Sequence, residues 1–488
     1  MNRIYKYLMA AAIIPLLFSC SNDELFPGTI STVNGYTTVS DIRPGQLKNA
    51  LGALLLTVTK LSITDTINSR DFKTMRDDMP FLKYIDLSKA TISAYNGFDG
   101  SAGELQYYYP ANVIPEYAFY NPSKSTDNTR LKAIKFPQNI RSIGNYAFNR
   151  CTSLSGILEL PASVTDTIGR LAFSYCSSLT ALVLPPVSYI GESSFQGCGS
   201  LSGTLSIPDS TTTIDRWAFS YCSGLSGVEI SSTINSIDNT SFIGCAGSFT
   251  VSDQNTTYSA VDGSLFSADK SVLIHFCNKS GVYNIPDGVT NIASYAFSDC
   301  DKLTGITCPA SVSTLEEYAF NNCSNLEGSF PIGAGIFSVG AFSFQNCSKL
   351  TGFSIDAANS NYTFANGLLI DINQSSVKRC IETTSGACVI PSSIMFIENG
   401  AFTNCKALTS ITLPENLLSI GNSALLNCTG LQDIYALPTH PVTLYIEKTG
   451  IVFDPENYKS CILHVPAGSS AEYKSATGWK NFSMIVEN

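Results

Sequence analysis

Ten cysteines recur along the chain at nearly constant spacing, and this regularity restricts the possible folds more than any other feature. Cys151, Cys176, Cys198, Cys222, Cys245, Cys300, Cys323, Cys347, Cys405 and Cys428 follow one another at 22 to 25 residues, with two longer gaps of 55 and 58. Each closes the same phrase. One copy reads Leu179, Leu182, Leu184, Pro185, Ile190, Gly191, Phe195, Cys198, and another reads Leu408, Ile411, Leu413, Pro414, Ile420, Gly421, Leu425, Cys428. A third reads Leu303, Ile306, Cys308, Pro309, Leu315, Ala319, Phe320, Cys323. A fixed period of this length marks a stack of repeated coils, not a string of independent globules.

The phrase has a physical reading. Apolar residues two apart, such as Leu182 and Leu184, point to one face of a short strand. The proline that follows fixes φ and removes an N–H, so the strand stops there. Ile190 then precedes a tight turn at Gly191. The pairs Ala147-Phe148, Ala172-Phe173, Ala218-Phe219, Ala296-Phe297, Ala319-Phe320 and Ala401-Phe402 send a large ring inward beside a small residue. Cysteine is small and readily buried. One coil cannot cover its own apolar face, so stacked coils must cover it with ladders of like residues.

Sixteen cysteines would ordinarily suggest disulfides in an exported chain. Equivalent cysteines on adjacent coils lie about 4.8 Å apart, one strand spacing, so bridging is sterically allowed. A buried stack of ten favours free packing thiols. Cys277, Cys380, Cys388 and Cys461 fall off the ladder and receive no assignment.

Composition bears on export and partners. With 44% hydrophobic and 14% charged residues, the chain can build a large core. Its net charge of −10 offers nothing to phosphates, so nucleic acid is not an expected partner. Arg3 and Lys6 precede an apolar stretch from Leu8 to Phe18, roughly 11 residues, too short to span a bilayer. It reads as a secretory signal. The stretch ends in Leu17-Phe18-Ser19-Cys20, which resembles the lipobox of bacterial lipoproteins and implies lipidation at Cys20. Asp23 and Glu24 resemble the acidic export signal of Bacteroides-type surface lipoproteins, which implies an outer-membrane protein facing the cell exterior.

The recurring Leu-x-x-Ile-x-Leu-Pro, Ile-Gly and Ala-Phe-x-x-Cys elements resemble the BspA-like class of leucine-rich repeats, from about residue 80 to 488. The resemblance implies a β-rich repeat solenoid with β-hairpin inserts and terminal caps. The inserts fall near 246–282 and 353–389, where Tyr258, Asp262-Gly263 and Leu265-Phe266 are echoed by Tyr362, Asn366-Gly367 and Leu368-Leu369. Asp-Gly and Asn-Gly suit tight hairpin turns. The expected organisation is a signal peptide at 1–19, a lipidated tether at 20–27 and an N-terminal cap with a first degenerate repeat at 28–110. The solenoid then spans 111–435 and a C-terminal cap 436–488. Both caps are expected to shield a sheet edge.

Chemistry is sparse. His275, His440 and His464 are far apart, and neither Cys-x-x-Cys nor His-Glu-x-x-His occurs. Gly333-Ala334-Gly335 begins like a dinucleotide fingerprint but continues with Ser338 inside a repeat turn. No cofactor, metal or catalytic residue is expected, and the chain reads as a binder rather than an enzyme. The expected binding face is the outward side of the strands: Lys135, Glu159, Val183, Ser206, Glu229, Thr307 and Thr412. Tyr175 and Tyr221, just before the ladder cysteine, are either open to solvent or packed on the next coil. Asn322, Asn346, Asn404 and Asn427 form a polar row at the same place. The resemblance implies adhesion to host extracellular-matrix or bacterial surface proteins, with membrane attachment through the lipid alone. The alternative role is surface glycan binding, and a degradative enzyme is a third.

Overall fold

The computed structural model describes residues 28–103, 106–446 and 450–488. The expected signal peptide, tether and lipidated Cys20 lie outside these residues. The chain winds as a β-solenoid in which each coil contributes one long and one short strand. Long strands run three to six residues, as in Ala133–Lys135 and Leu408–Leu413. Short strands hold two residues each: Val113–Ile114, Ser142–Ile143, Thr167–Ile168, Tyr189–Ile190, Thr213–Ile214 and Ser236–Ile237 pair in parallel with isoleucine over isoleucine.

Inside, like stacks on like. Phe148, Phe173, Phe195, Phe219 and Phe242 follow one another at ring separations of 5.0, 5.5, 5.3 and 5.6 Å, with planes within 8° of parallel. The residue before each of these rings is small and fully buried, alanine at Ala147, Ala172 and Ala218 and serine at Ser194 and Ser241.

The cysteines do more than fill space. Cys176 Sγ donates to the carbonyl of Phe148 at 3.2 Å, and Cys198, Cys222 and Cys245 donate in the same way to Phe173, Phe195 and Phe219. Cys323, Cys347 and Cys428 continue the pattern. Each thiol thus adds a second hydrogen bond to a carbonyl one coil back, which already accepts the N–H of its own coil's cysteine, and so ties the two coils together. All fifteen described cysteines are free. Two expected to stand apart do not: Cys277 lies beside Cys300, and Cys380 touches Cys405. They are the ladder members of the insert coils, hidden in sequence because the hairpins lengthen the spacing before them. Cys388 pairs with Ile411 at an inward strand position, and Cys461 donates to the Leu431 carbonyl at 2.9 Å.

Burial pushes the thiols of Cys198, Cys245 and Cys347 up to about 12. Thiolate is the reactive form, so a thiol reagent at pH 8 will leave the folded ladder untouched and label it fully in denaturant. Rapid labelling of several native thiols would show the ladder to be open.

Two features depart from the simple repeat. Five pairs of neighbouring long strands share an irregularity: Gly156–Glu159 with Leu179–Val183, Gly203–Ser206 with Leu225–Ile230, and Gly281–Asn284 with Leu303–Thr307. Gly328–Ile332 with Leu350–Ile355 and Gly386–Val389 with Leu408–Leu413 follow suit. The first strand of each pair opens on a glycine with φ between 74° and 95°, and the register shifts beside it. Each of these five pairs therefore carries a bulge. Second, the Ile-Gly glycine is not there for its dihedral. A Cβ on Gly191 would sit 2.7 Å from the Ile168 carbonyl oxygen, and one on Gly144 would sit 2.6 Å from the Glu116 nitrogen. Close approach of consecutive coils, not turn conformation, requires the missing side chain.

The inserts are antiparallel hairpins, Tyr258–Val261 with Ser264–Ser267 and Tyr362–Ala365 with Leu368–Asp371. Their turn residues Asp262, Gly263, Asn366 and Gly367 all have positive φ, as a two-residue turn of the primed type demands. Each insert interrupts the short-strand ladder and repairs it with one tyrosine. The Tyr258 hydroxyl accepts the Ile237 N–H at 2.7 Å, and Tyr362 accepts that of Val339 at 3.0 Å. Tyr258→Phe would strand a buried N–H and should lower stability by about 1–3 kcal/mol in a urea titration; an unchanged midpoint would show that water replaces the hydroxyl.

At the N-terminal end, the helix Ser69–Asp77 is closed by a reciprocal Asn68/Asp71 capping box. Asp71 also accepts from the N–H groups of Gly45 and Leu47. At the other end Tyr473 and Trp479 plug the core, donating to the carbonyls of Pro438 and Val442. These caps close the apolar interior. They do not abolish the sheet edge, because the added strands Thr29–Val33 and Met484–Glu487 become edges themselves.

Candidate binding face

The strands alternate in and out, so the coil geometry alone presents a broad outer ribbon. Lys135, Glu159, Val183, Ser206, Glu229 and Thr307 lie exposed on it, while Thr412 is half-buried. Register brings them together in twos and threes. Lys135 stands beside Asp86 and pairs with it at 3.4 Å. Glu159 lies beside Val183, Ser206 beside Glu229, and Thr307 beside Asn284, to which its hydroxyl donates at 2.7 Å. Thr412 sits between Val389 and Tyr435.

A second outward line, two residues earlier on each strand, was missed. There Ile157 pairs with Ala181, Val282 with Gly305, and Ala387 with Ser410. The alternation that turns Glu159 and Val183 outward turns this second line outward as well. The combined ribbon exposes isolated aliphatic side chains. Ile157, Val183, Val282 and Val389 are 60%, 56%, 63% and 61% exposed. Near its C-terminal end Tyr435 lies on His464 at 4.4 Å.

Tyr175 and Tyr221 resolve as both exposed and packed. Each ring lies against the glycine of the next coil: a Cβ on Gly197 would meet Tyr175 at 2.7 Å, and one on Gly244 would meet Tyr221 at 2.7 Å. The outer edges of both rings remain open to solvent. This position is left-handed in coil after coil: φ is 57° at Tyr175, 72° at Gly197, 59° at Tyr221, 60° at Asn322 and 67° at Asn404. Asparagine and glycine tolerate that region best, which explains the polar row. The row is also bonded, for Asn322 donates to Asp299, Asn346 to Asn322, Asn404 to Asn346 and Asn427 to Asn404. It is therefore a structural spine. Gly197→Ala adds both a left-handed Cβ and a clash with Tyr175, and should lower stability by about 1–2 kcal/mol on thermal unfolding. No loss would mean the corner can open.

The histidines do not converge. His275 is buried in the first insert, His440 meets Glu472 and His464 meets Asp433. Among the described residues no group of three or more His, Cys, Asp or Glu side chains is placed to hold a metal.

The repeat geometry agrees with a family model. The model of the BspA type leucine rich repeat region matches six copies over residues 112–247, 270–385 and 370–444, together more than half of the chain. The chain belongs to the BspA-type leucine-rich repeat family. No curated protein matches it. Among solved structures, this BspA-type chain is similar to a leucine-rich repeat protein from Eubacterium ventriosum, with 22% identity over 66% of this chain and 83% of the other, at a TM-score of 0.45. A leucine rich cell surface protein from Faecalibacterium prausnitzii is 24% identical over 68% and 84%, at 0.41. The pneumococcal vaccine antigen PcpA is 17% identical over 94% and 87%, at 0.37.

Proposed function

We propose that this BspA-type solenoid is a cell-surface protein, anchored by lipid at Cys20, that adheres to host extracellular-matrix or bacterial surface proteins through its long-strand ribbon. The observation that carries the reading is the character of that ribbon. It is wide and mostly polar, with few aromatic rings, and dotted with exposed aliphatics such as Val282 and Val389. Aliphatic side chains at separate points on a polar field suit a protein surface, where apolar anchors seat among hydrogen bonds. Extended solenoid faces serve such recognition generally.

The test is surface plasmon resonance of the purified chain over fibronectin, laminin and collagen, and over bacterial surface proteins. Wild-type binding should weaken at least tenfold in Val282→Lys/Val389→Lys. Binding to none of these proteins, or binding indifferent to the double variant, sinks the ribbon as the contact face. Metabolic labelling with a fatty-acid analogue tests the anchor separately: Cys20→Ala must abolish incorporation.

A further inference from the structure

A second site lies on the short-strand face, away from the ribbon. The hairpin Tyr95–Gly97/Tyr107–Tyr109 rises beside the first coils as a wall. With the coils that follow, it encloses a groove of about 570 Å³, within the range of small-molecule sites, roughly 300–1,000 Å³. Gly144, Gly169 and Gly191 lie in its floor on three successive coils, so no side chain stands there. A Cβ on any of them would come within 2.8 Å of the preceding coil.

Three partly exposed tyrosines supply apolar ring surface. Tyr107 and Tyr108 come from the hairpin and Tyr189 from the outward position of its short strand. Two are locked in place, since Tyr107 donates its hydroxyl to Glu116 and Tyr189 donates to Asp215. The hydrogen bond to Glu116, together with burial, pushes Tyr107 up to about 12. Burial, helped by Asp215, does the same for Tyr189. Both therefore stay protonated and bound to their carboxylates. Between the rings, Arg170 and Arg216 hold Glu192 from either side at 3.2 and 3.1 Å. Asn145 accepts the Arg170 N–H through its side-chain oxygen at 2.9 Å, leaving its amide NH₂ group as the donor to a ligand.

Flat aromatic faces bordered by planar carboxylate, guanidinium and amide groups match a molecule with apolar C–H faces and hydroxyls round its rim. Each hydroxyl can both donate and accept, as this mixed border requires. Glu116, Glu192 and Asp215 outweigh Arg170 in the lining, so a phosphorylated or carboxylated ligand would be repelled. An extended peptide has no open strand to pair with, because Ser142–Ile143, Thr167–Ile168 and Tyr189–Ile190 are paired on both sides. We infer that the groove between the tyrosine hairpin and the first short strands binds a short neutral oligosaccharide, independently of the protein-binding ribbon.

The purified full chain is applied to an array of neutral and anionic oligosaccharides, and the strongest neutral binder is titrated by calorimetry. Tyr108→Ala and Arg170→Ala should each weaken that binding more than tenfold. Phe337→Ala, which removes an exposed ring elsewhere, should leave it unchanged, with thermal unfolding confirming that all three variants fold. An array that retains no neutral glycan overturns the proposal. So does retention of anionic glycans alone, or binding that both groove variants preserve. Because Val282→Lys/Val389→Lys alters only the ribbon, failure of either site is read separately from the other.

Discussion

Phe195→Ala will lower the stability of the solenoid by about 3–5 kcal/mol, the range for emptying a phenyl site in a packed core. Phe195 is fully buried, with Phe173 on one side at 5.5 Å and Phe219 on the other at 5.3 Å, both within 5° of parallel. The neighbouring coils are held apart by the strand spacing, which limits collapse into the emptied space. The effect should also be asymmetric in kind. A solenoid is stabilised by its coil-to-coil interfaces, and this substitution weakens two of them at once. Urea unfolding followed by tyrosine and tryptophan fluorescence should show an earlier midpoint and a shallower slope, as the two flanking segments cease to unfold together. An unchanged slope with an early midpoint would mean that the array melts as one body. A loss under 1 kcal/mol would mean the phenyl stack is not what holds the coils.

Acidification will act through His275. The ring is fully buried in the first insert, edge-on to Phe249 at 5.3 Å and near Phe242 at 6.4 Å. Neither ring nitrogen makes a well-formed hydrogen bond among the described residues, and the nearby Cys245 backbone offsets the burial only in part. Burial pushes its pKa down to about 4, whereas in the unfolded chain it lies near the ordinary value of about 6.5. Above pH 6.5 both states carry a neutral ring and the group has no influence on stability. As pH falls from there, the unfolded chain takes up the proton and the folded one does not, so stability is lost down to about pH 4. The full loss is about 3 kcal/mol. Asp77 depends on pH in the same direction but at lower pH. Burial raises its carboxyl, yet the Arg76 guanidinium and the Asn121 and Lys73 hydrogen bonds bring it well below the usual range. Urea midpoints at pH 7.5 and 4.5 should therefore differ markedly in the natural chain and much less in His275→Phe. If the variant keeps the full difference, the proton goes elsewhere.

The site of that histidine was not legible beforehand. In sequence His275 was one of three scattered histidines. Its burial depends on the insert folding back so that the apolar core is handed from one packed cluster to the next between Ile274 and Phe276. The phenyl, alanine and thiol ladders, by contrast, could be read directly. Their residues recur at one period, and a period reports which side chains share a face whatever the neighbouring coil contains.

The binding face was half legible. Strand alternation places Glu159, Val183 and Thr307 outward without any knowledge of register. It does not say that Val282 lies beside a bare Gly305 or that Lys135 reaches Asp86. The tyrosine groove could not be read at all. Tyr107 and Tyr108 precede the regular repeat, and they meet Tyr189 and Arg170 only because a hairpin and several coils share one side of the stack.

The sequence by itself thus determined the coil: its length, its inward residues, the strand that ends at proline and the places where inserts enter. Tertiary structure decided what one coil does to the next. It set the bulges in five of the long strands, the glycines that let backbones touch, the tyrosine hydroxyls that mend the interrupted ladder, and the groove walled by a distant hairpin. The division follows from range. Periodicity and propensity are properties of neighbouring residues, whereas each of these features depends on which atom of one turn lies opposite which atom of another.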